Sequence, residues 1–152
     1  MESDESALIE LLRELQGYEA QFTEHYKPAS DMGTWYIDLL RKNCADMDGV
    51  ILMAWDCSES LGMAAVFMRV EEKGDEEELP HTYAHIGELV VAEKARGRGI
   101  GKALLKECER LARAAGRDEI TLAVFAKNKF ARRLYHDFGF EDLKISQRKK
   151  LS

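Results

Sequence analysis

Residues 86 to 116 constrain the fold of this chain more than any other stretch. Residues 86–92 form a short apolar run that is rich in β-branched side chains, which predicts a buried strand. Farther on, apolar side chains recur at the spacing of one helical face, at Ile100, Leu104, Cys108 and Leu111. Gly116 is a typical C-terminal stop for that helix. The stretch therefore predicts a strand, a glycine-rich turn and an amphipathic helix in succession.

The turn Arg96-Gly97-Arg98-Gly99 has the composition of an anion-binding site. It contains no Ser, Thr, Asp or Asn to cap the following helix, which leaves the first helical N–H groups free for a ligand. Arg96, Arg98 and Lys102 add positive charge to the positive end of the helix dipole, which costs up to about 1 kcal/mol each unless an anion binds. Glycines at positions 97, 99 and 101 allow a phosphate to approach the backbone.

We therefore predict a pyrophosphate-binding site over residues 96–102, with Ile100 at the start of the helix. The alternative is a flexible, solvated basic turn, because short glycine-rich patterns are weak signals. The pattern matches neither G-x-G-x-x-G nor the G-x-x-x-x-G-K-[ST] motif.

Composition narrows the classes of function. A length of 152 residues is typical of one domain, and we expect a single domain over residues 1–152. No apolar run approaches the roughly 20 residues that span a bilayer, and the acidic start MESDES does not resemble a signal peptide, so we expect a cytoplasmic protein without a membrane partner. The three cysteines lack C-x-x-C spacing, which disfavours disulfides and a metal site. A net charge of −6 disfavours nucleic acid as a partner.

The order of the remaining elements predicts a mixed α/β fold with helices on both faces of a central sheet, ααβββαβαβ. The predicted helices cover residues 4–26, 31–45, 100–115 and 129–138. The predicted strands cover residues 50–55, 61–70, 81–92, 119–126 and 140–151. The helical crossover makes the third and fourth strands parallel and places the glycine turn at a strand's carboxyl end, where open α/β sheets bind ligands.

Two motifs support a specific family. In LVVAEKARGRGIGKALL, a glycine-rich signature is filled by Arg96, Gly99 and Gly101. In VFAKNKFARRLYHDFGFED, a second signature is filled by Asn128, Ala131, Leu134, Tyr135, Gly139 and Phe140. At this separation the pair resembles the acetyl-CoA motif and the following motif of the GNAT N-acetyltransferase superfamily. The resemblance implies a GNAT-like domain that transfers an acetyl group from acetyl-CoA to a small-molecule or peptide amine.

The resemblance also implies roles for individual residues. The diphosphate of the cosubstrate is expected on residues 96–102 and its pantetheine arm along Leu89, Val90 and Val91. The N–H of Leu89 is expected to polarise the thioester carbonyl. Asn128 and Ala131 are expected beside the arm, and Tyr135 matches the residue that protonates the leaving thiolate. The alternative for Tyr135 is simple packing against an apolar helix face.

The general base is open at the level of sequence. Members of the superfamily often carry a Glu at the position of Gly87 or two residues earlier, and this chain departs from that pattern. His85 shares a strand face with Gly87 and is a candidate base, although a structural histidine is the commoner case. Glu88 points to the opposite face unless a bulge changes the phase of the strand, and it is the second candidate.

Two classes of function stay open. The first is an amine N-acetyltransferase, and the second is a non-catalytic module that senses acyl-CoA. The acidic residues between positions 71 and 78 attract a basic acceptor in one interpretation and are only a solvated loop in the other. A homodimer is an additional expectation that the sequence does not decide.

Overall fold

The structure is a computed structural model that describes residues 2–152. Its four strands form one mixed sheet in chain order, β1 (Gly49–Asp56), β2 (Glu59–Glu72), β3 (His81–Val91) and β4 (Ile120–Leu122). Strand β2 is antiparallel to both of its neighbours, β1 and β3, whereas β4 is parallel to β3. The parallel pairing agrees with the predicted helical crossover.

Four helices cover this sheet: α1 (Glu2–Glu19), α2 (Thr34–Met47), α3 (Ile100–Ala114) and α4 (Lys129–Asp137). Short 3₁₀ turns occur at Ala29–Asp31 and Glu93–Ala95. Leucines of α1 and α2 pack on one face of the sheet, against Met63 and Phe67 of β2. Leu105 and Cys108 of α3 pack on the other face, against Val66, and α4 adds partly buried side chains there. The predicted α/β fold with helices on both faces is confirmed.

Two predicted boundaries are wrong, and tertiary contacts explain the first. The first helix ends at Glu19 rather than near residue 26, because aromatic side chains of the following segment pack against the chain after β4. The rings of Phe22 and Tyr26 lie 5.9 and 5.7 Å from that of Phe125. The strand predicted over residues 119–126 is confined to Ile120–Leu122.

The last predicted strand, over residues 140–151, is also wrong. This segment contains no helix or strand, and Leu143 and Leu151 are 80% and 88% exposed. Arg148 and Lys150 instead form ion pairs with Glu24 at the surface. Alternating side chains form a strand only where a ladder partner is available, and none of the described strands pairs with this segment.

Within the described residues, no helix is long and apolar enough to cross a membrane. In the same part of the chain, no three His, Cys, Asp or Glu side chains gather as a metal site would require. The three cysteines, Cys44, Cys57 and Cys108, are free thiols.

Candidate active site

The site lies where β3 and β4 separate. Their ladder joins Ala84 to Ile120 and ends with the pair Ile86 and Leu122. Beyond that pair, residues 87–91 and 123–125 diverge and line a cavity of about 870 Å³. Among the described strands, none pairs with this edge of β3 after Ile86, so its backbone groups face the cavity without a ladder partner. Leu89, Val90 and Val91, predicted to hold the cofactor arm, all line the cavity.

The glycine turn also borders this cavity and presents unused backbone donors. Helix α3 begins after Gly99, whose φ of 79° requires the left-handed conformation that glycine adopts readily, and no side chain caps the helix. Gly97 has a similar φ of 78°. Among the described residues, none accepts a hydrogen bond from the N–H groups of residues 97–102. The absence of internal acceptors meets the main condition for an anion site at this helix end.

The three cations of the turn have different surroundings. Arg96 lines the cavity, with its guanidinium carbon 5.3 Å from the centre of the Tyr18 ring and its Nε donating to the carbonyl of Val91 at 3.4 Å. Arg98 is exposed and forms an ion pair with Asp56 at 3.3 Å. Lys102 is exposed and lies outside the cavity lining.

The other residues of the turn also differ in whether they line the cavity. Gly97 and Gly101 line the cavity, whereas Gly99 and Ile100 do not. Gly101 is buried, and a Cβ there would lie 3.2 Å from Leu134 of α4 and 3.5 Å from Val91 of β3. This position therefore allows the close approach of α3 to both neighbours as well as access to the cavity.

A β-bulge at Gly87 determines which side chain of β3 enters the cavity. Ile86 pairs with Val66 and Glu88 with Ala65, so Gly87 is the extra residue in the ladder. A Cβ on Gly87 would lie only 2.6 Å from Cε2 of Phe67, which leaves no room for the Glu that the superfamily pattern often has there. The bulge also explains why Ile86 packs on the α3 face while Val90, an even number of residues later, packs on the α1 face.

Because the bulge changes the phase of the strand, Glu88 lines the cavity. This is the arrangement that the sequence-based prediction allowed for Glu88 only if a bulge was present. The hydroxyl of Tyr36, on α2, donates a hydrogen bond to Oε1 of Glu88. Burial raises the pKa of Glu88, and the hydrogen bond from Tyr36 opposes that rise by stabilising the carboxylate.

His85, the other candidate base, does not line the cavity. Its Nδ1 lies 2.8 Å from Oγ1 of Thr121 on β4, and burial lowers the pKa of its imidazole. This histidine joins two strands below the point where they separate. The geometry therefore favours Glu88 over His85 as the cavity-facing candidate.

The second motif supplies the cavity wall on the α4 side. Asn128 is 9% exposed, and its Oδ1 accepts hydrogen bonds from the N–H of Ala131 at 3.2 Å and the hydroxyl of Tyr18 at 3.4 Å. The predicted helix cap is confirmed, and both Asn128 and Ala131 line the cavity. The second contact links the cap to α1 and fixes the amide of Asn128 between two elements.

Tyr135 also lines the cavity, and its ring contacts Phe140 edge-on at 5.9 Å. Burial, with a smaller contribution from the negative charge of Glu19, raises the pKa of its phenol to about 12. The hydroxyl therefore carries its proton throughout the neutral range. Packing and proton donation are compatible here, since the ring packs while the residue borders the cavity.

Glu19, the last residue of α1, is a cavity residue that the sequence reasoning missed. Burial, and secondarily the charge of Glu88, raise the pKa of its carboxyl to about 7. A signal was present in the sequence, because Glu19 continues the helical spacing of Leu8, Leu12 and Leu15. A carboxylate in line with an apolar stripe is an unusual placement. Tyr36 was missed as well, because its contact with Glu88 spans 52 residues.

Comparisons with known proteins identify the family of this chain. The profile of the acetyltransferase (GNAT) family matches residues 8–140. The uncharacterized N-acetyltransferase YycN of Bacillus subtilis is 37% identical over 76 residues, which are 50% of this chain and 49% of that protein. The uncharacterized N-acetyltransferase MJ1207 of Methanocaldococcus jannaschii is 29% identical over 124 residues, 82% of this chain and 52% of that one. The matches thus span about half the length of each of these curated relatives.

The fold has close solved counterparts. A tetramutant of the BH1408 protein of Bacillus halodurans superposes with a TM-score of 0.85 at 19% identity, covering 97% of this chain and 94% of that one. The solved structure of YycN covers 100% of this chain and 95% of its own, with a TM-score of 0.71 at 20% identity. These likenesses show a shared fold. The family profile, which matches most of the chain, shows that this protein belongs to the GNAT acetyltransferase family.

Proposed function

We propose that this protein is a cytoplasmic acetyl-CoA-dependent N-acetyltransferase in which a primary amine attacks the thioester directly. One observation carries the proposal: the backbone N–H groups of residues 97–102 are unengaged, and Gly97 and Gly101 of this run line a cavity that the phenol of Tyr135 and two carboxylates also line. The first feature suits a diphosphate, and the second suits proton transfer during acyl transfer.

The residues present fit acetyl-CoA on structural grounds. The N–H groups of residues 97–102, with the guanidinium of Arg96, would bind the diphosphate. The unpaired edge of β3 from Leu89 to Val91 offers backbone groups to the amides of an extended arm, in the manner of an added strand. When bound, the cosubstrate supplies an activated acetyl thioester.

Tyr135 is proposed to supply the proton that the leaving sulfur needs. A phenol with a pKa of about 12 is a weaker acid than a thiol, whose pKa is about 8.5. The proton transfer is therefore favourable only if the phenol recovers a proton from the attacking nitrogen at the same time. Tyr135 thus acts as a relay, and no covalent enzyme intermediate is needed.

The direct test is release of free thiol when the protein is mixed with acetyl-CoA and a panel of primary amines. We expect amine-dependent release that falls by about 100-fold or more in Tyr135→Phe, with the affinity for coenzyme A unchanged by calorimetry. Tyr83→Phe is the matched control, since Tyr83 contacts Glu72 outside the cavity and should keep the wild-type rate.

The outcomes separate the two classes of function. Thiol release that depends on the amine and on Tyr135 supports the enzyme. Calorimetric binding of acetyl-CoA without release across small-molecule and peptide amines would contradict it and favour a non-catalytic sensor of acyl-CoA.

A further inference from the structure

Two carboxylates from distant parts of the chain line the cavity together, and their surroundings differ. Glu88 comes from the bulge of β3, and Glu19 from the C-terminal end of α1. Tyr36 donates a hydrogen bond to Glu88, whereas none of the described residues donates one to the carboxylate of Glu19. One carboxylate is thus held in place by the protein, and the other keeps its lone pairs for a ligand.

We propose, on the basis of the function above, that Glu19 is the general base that takes a proton from the ammonium group of the acceptor amine. The role fits its position, because the cavity also contains Tyr135, the proposed proton relay. Glu19 lies within electrostatic reach of that phenol, since its charge contributes to the raised pKa of Tyr135. The base and the relay therefore face the same space.

The environment of Glu19 makes its proton affinity suitable for this task. The carboxyl is partly buried and lies at the C-terminal end of α1, where the helix dipole is negative. The negative charge of Glu88 adds to this effect and helps to raise the pKa of Glu19 to about 7. Other titratable groups around the cavity are the phenols of Tyr18, Tyr26 and Tyr135, the hydroxyl of Tyr36 behind Glu88, and the guanidinium of Arg96. A base is most effective when its pKa is near the working pH.

The acceptor is accordingly an alkylammonium ion that enters a negatively charged, aromatic part of the cavity. The ion R–NH₃⁺ gives one proton to the carboxylate of Glu19 and becomes R–NH₂. The nitrogen forms the C–N bond as the C–S bond breaks, and its second proton passes through Tyr135 to the leaving sulfur. The products are R–NH–COCH₃ and the free thiol of coenzyme A, and Glu19 releases its proton to solvent.

The kinetic test compares Glu19→Gln with Glu10→Gln, a surface carboxylate on the same helix. Thiol release is followed with n-butylamine and 1,4-diaminobutane as probes, across the pH range. We expect Glu19→Gln to lower kcat/KM by about 100-fold or more. It should also abolish the acidic limb of the pH profile, which is the fall in kcat/KM below about pH 7. Glu10→Gln should retain both rate and limb, and Glu19→Asp should recover part of the rate. Wild-type activity and limb in Glu19→Gln, with the loss found in Glu88→Gln, would overturn the proposal.

A titration without turnover separates this inference from the proposed function. Carbon NMR of labelled glutamate carboxyls, assigned by the Glu19→Gln spectrum, reports the titration of Glu19 directly. We expect a pKa near 7 that falls when n-butylammonium is added, because a cation stabilises the carboxylate. If wild-type protein releases no thiol, the proposed function fails. If Glu19 titrates near 4.5, its ordinary value, and does not respond to the amine, the inference about Glu19 fails.

Discussion

Retaining a partly buried carboxylate at position 19 should cost stability, and the cost should depend on pH. Glu19→Gln removes the titrating group while keeping nearly the same shape. In the folded protein the pKa of Glu19 is raised from 4.5 to about 7. The folded state therefore binds more protons than the unfolded state between these values, and wild-type stability falls as the pH rises through this window.

The structure sets the size of this effect. A full shift from 4.5 to about 7 corresponds to roughly 3.4 kcal/mol at about 1.36 kcal/mol per unit of pKa. The carboxyl is only partly buried, so solvent screening reduces the expected cost to about 1–2 kcal/mol. The unfolding free energy of Glu19→Gln minus that of wild type should therefore increase by about 1–2 kcal/mol from about pH 4.5 to about pH 8.

The assay is urea unfolding followed by far-ultraviolet circular dichroism, at about pH 4.5 and about pH 8, for wild type, Glu19→Gln and Glu10→Gln. Glu10→Gln corrects for loss of a surface charge on the same helix. A free-energy difference between wild type and Glu19→Gln that is the same at both pH values would refute the reasoning. It would mean that Glu19 titrates alike in the folded and unfolded states.

Three other substitutions test neighbouring contacts. Asn128→Ala removes the helix cap and the contact with Tyr18, and should lower the unfolding free energy by about 1–2 kcal/mol in urea titrations; an unchanged midpoint would contradict that role. Gly87→Ala places a methyl group against Phe67, and we expect a loss of about 1–3 kcal/mol by the same method, with wild-type stability as the contrary result. Tyr36→Phe removes the hydrogen bond that favours the charged form of Glu88. The pKa of Glu88 should rise, the repulsion on Glu19 should weaken, and the acidic limb of kcat/KM should move to lower pH; a move to higher pH would exclude this coupling.

Local patterns in the sequence were sufficient for the framework of the site. The helix after the glycine turn begins at Ile100 as predicted. The prediction succeeds because the apolar period and the lack of a cap residue can both be seen in residues that are close together in the sequence. The cap at Asn128 is equally local, since the bond reaches only to the N–H of Ala131. Parallel pairing of β3 and β4 follows from the crossover between them.

Features that depend on contacts between distant residues could not be predicted from local patterns in the sequence. The phase of β3 changes at Gly87, which is the extra residue in its ladder with β2, and Phe67 of β2 occupies the space where a Cβ at this position would lie. The first helix stops at Glu19, and the aromatic residues that follow, Phe22 and Tyr26, pack against Phe125, about 100 positions away. That same stop places Glu19 in the cavity. The sequence predicts a strand over residues 140–151, but none of the described strands pairs with this segment.

The central claim is that the backbone N–H groups of residues 97–102 bind the diphosphate of coenzyme A. The most direct measurement is an amide NMR titration of the protein with coenzyme A and, separately, with pantetheine, which has the thiol arm but no diphosphate. We predict downfield shifts of the amide protons of residues 97–102 with coenzyme A alone, since charge-assisted hydrogen bonds would form there. Amide protons of these residues that stay unchanged at saturating coenzyme A, or that shift equally with pantetheine, would contradict the claim.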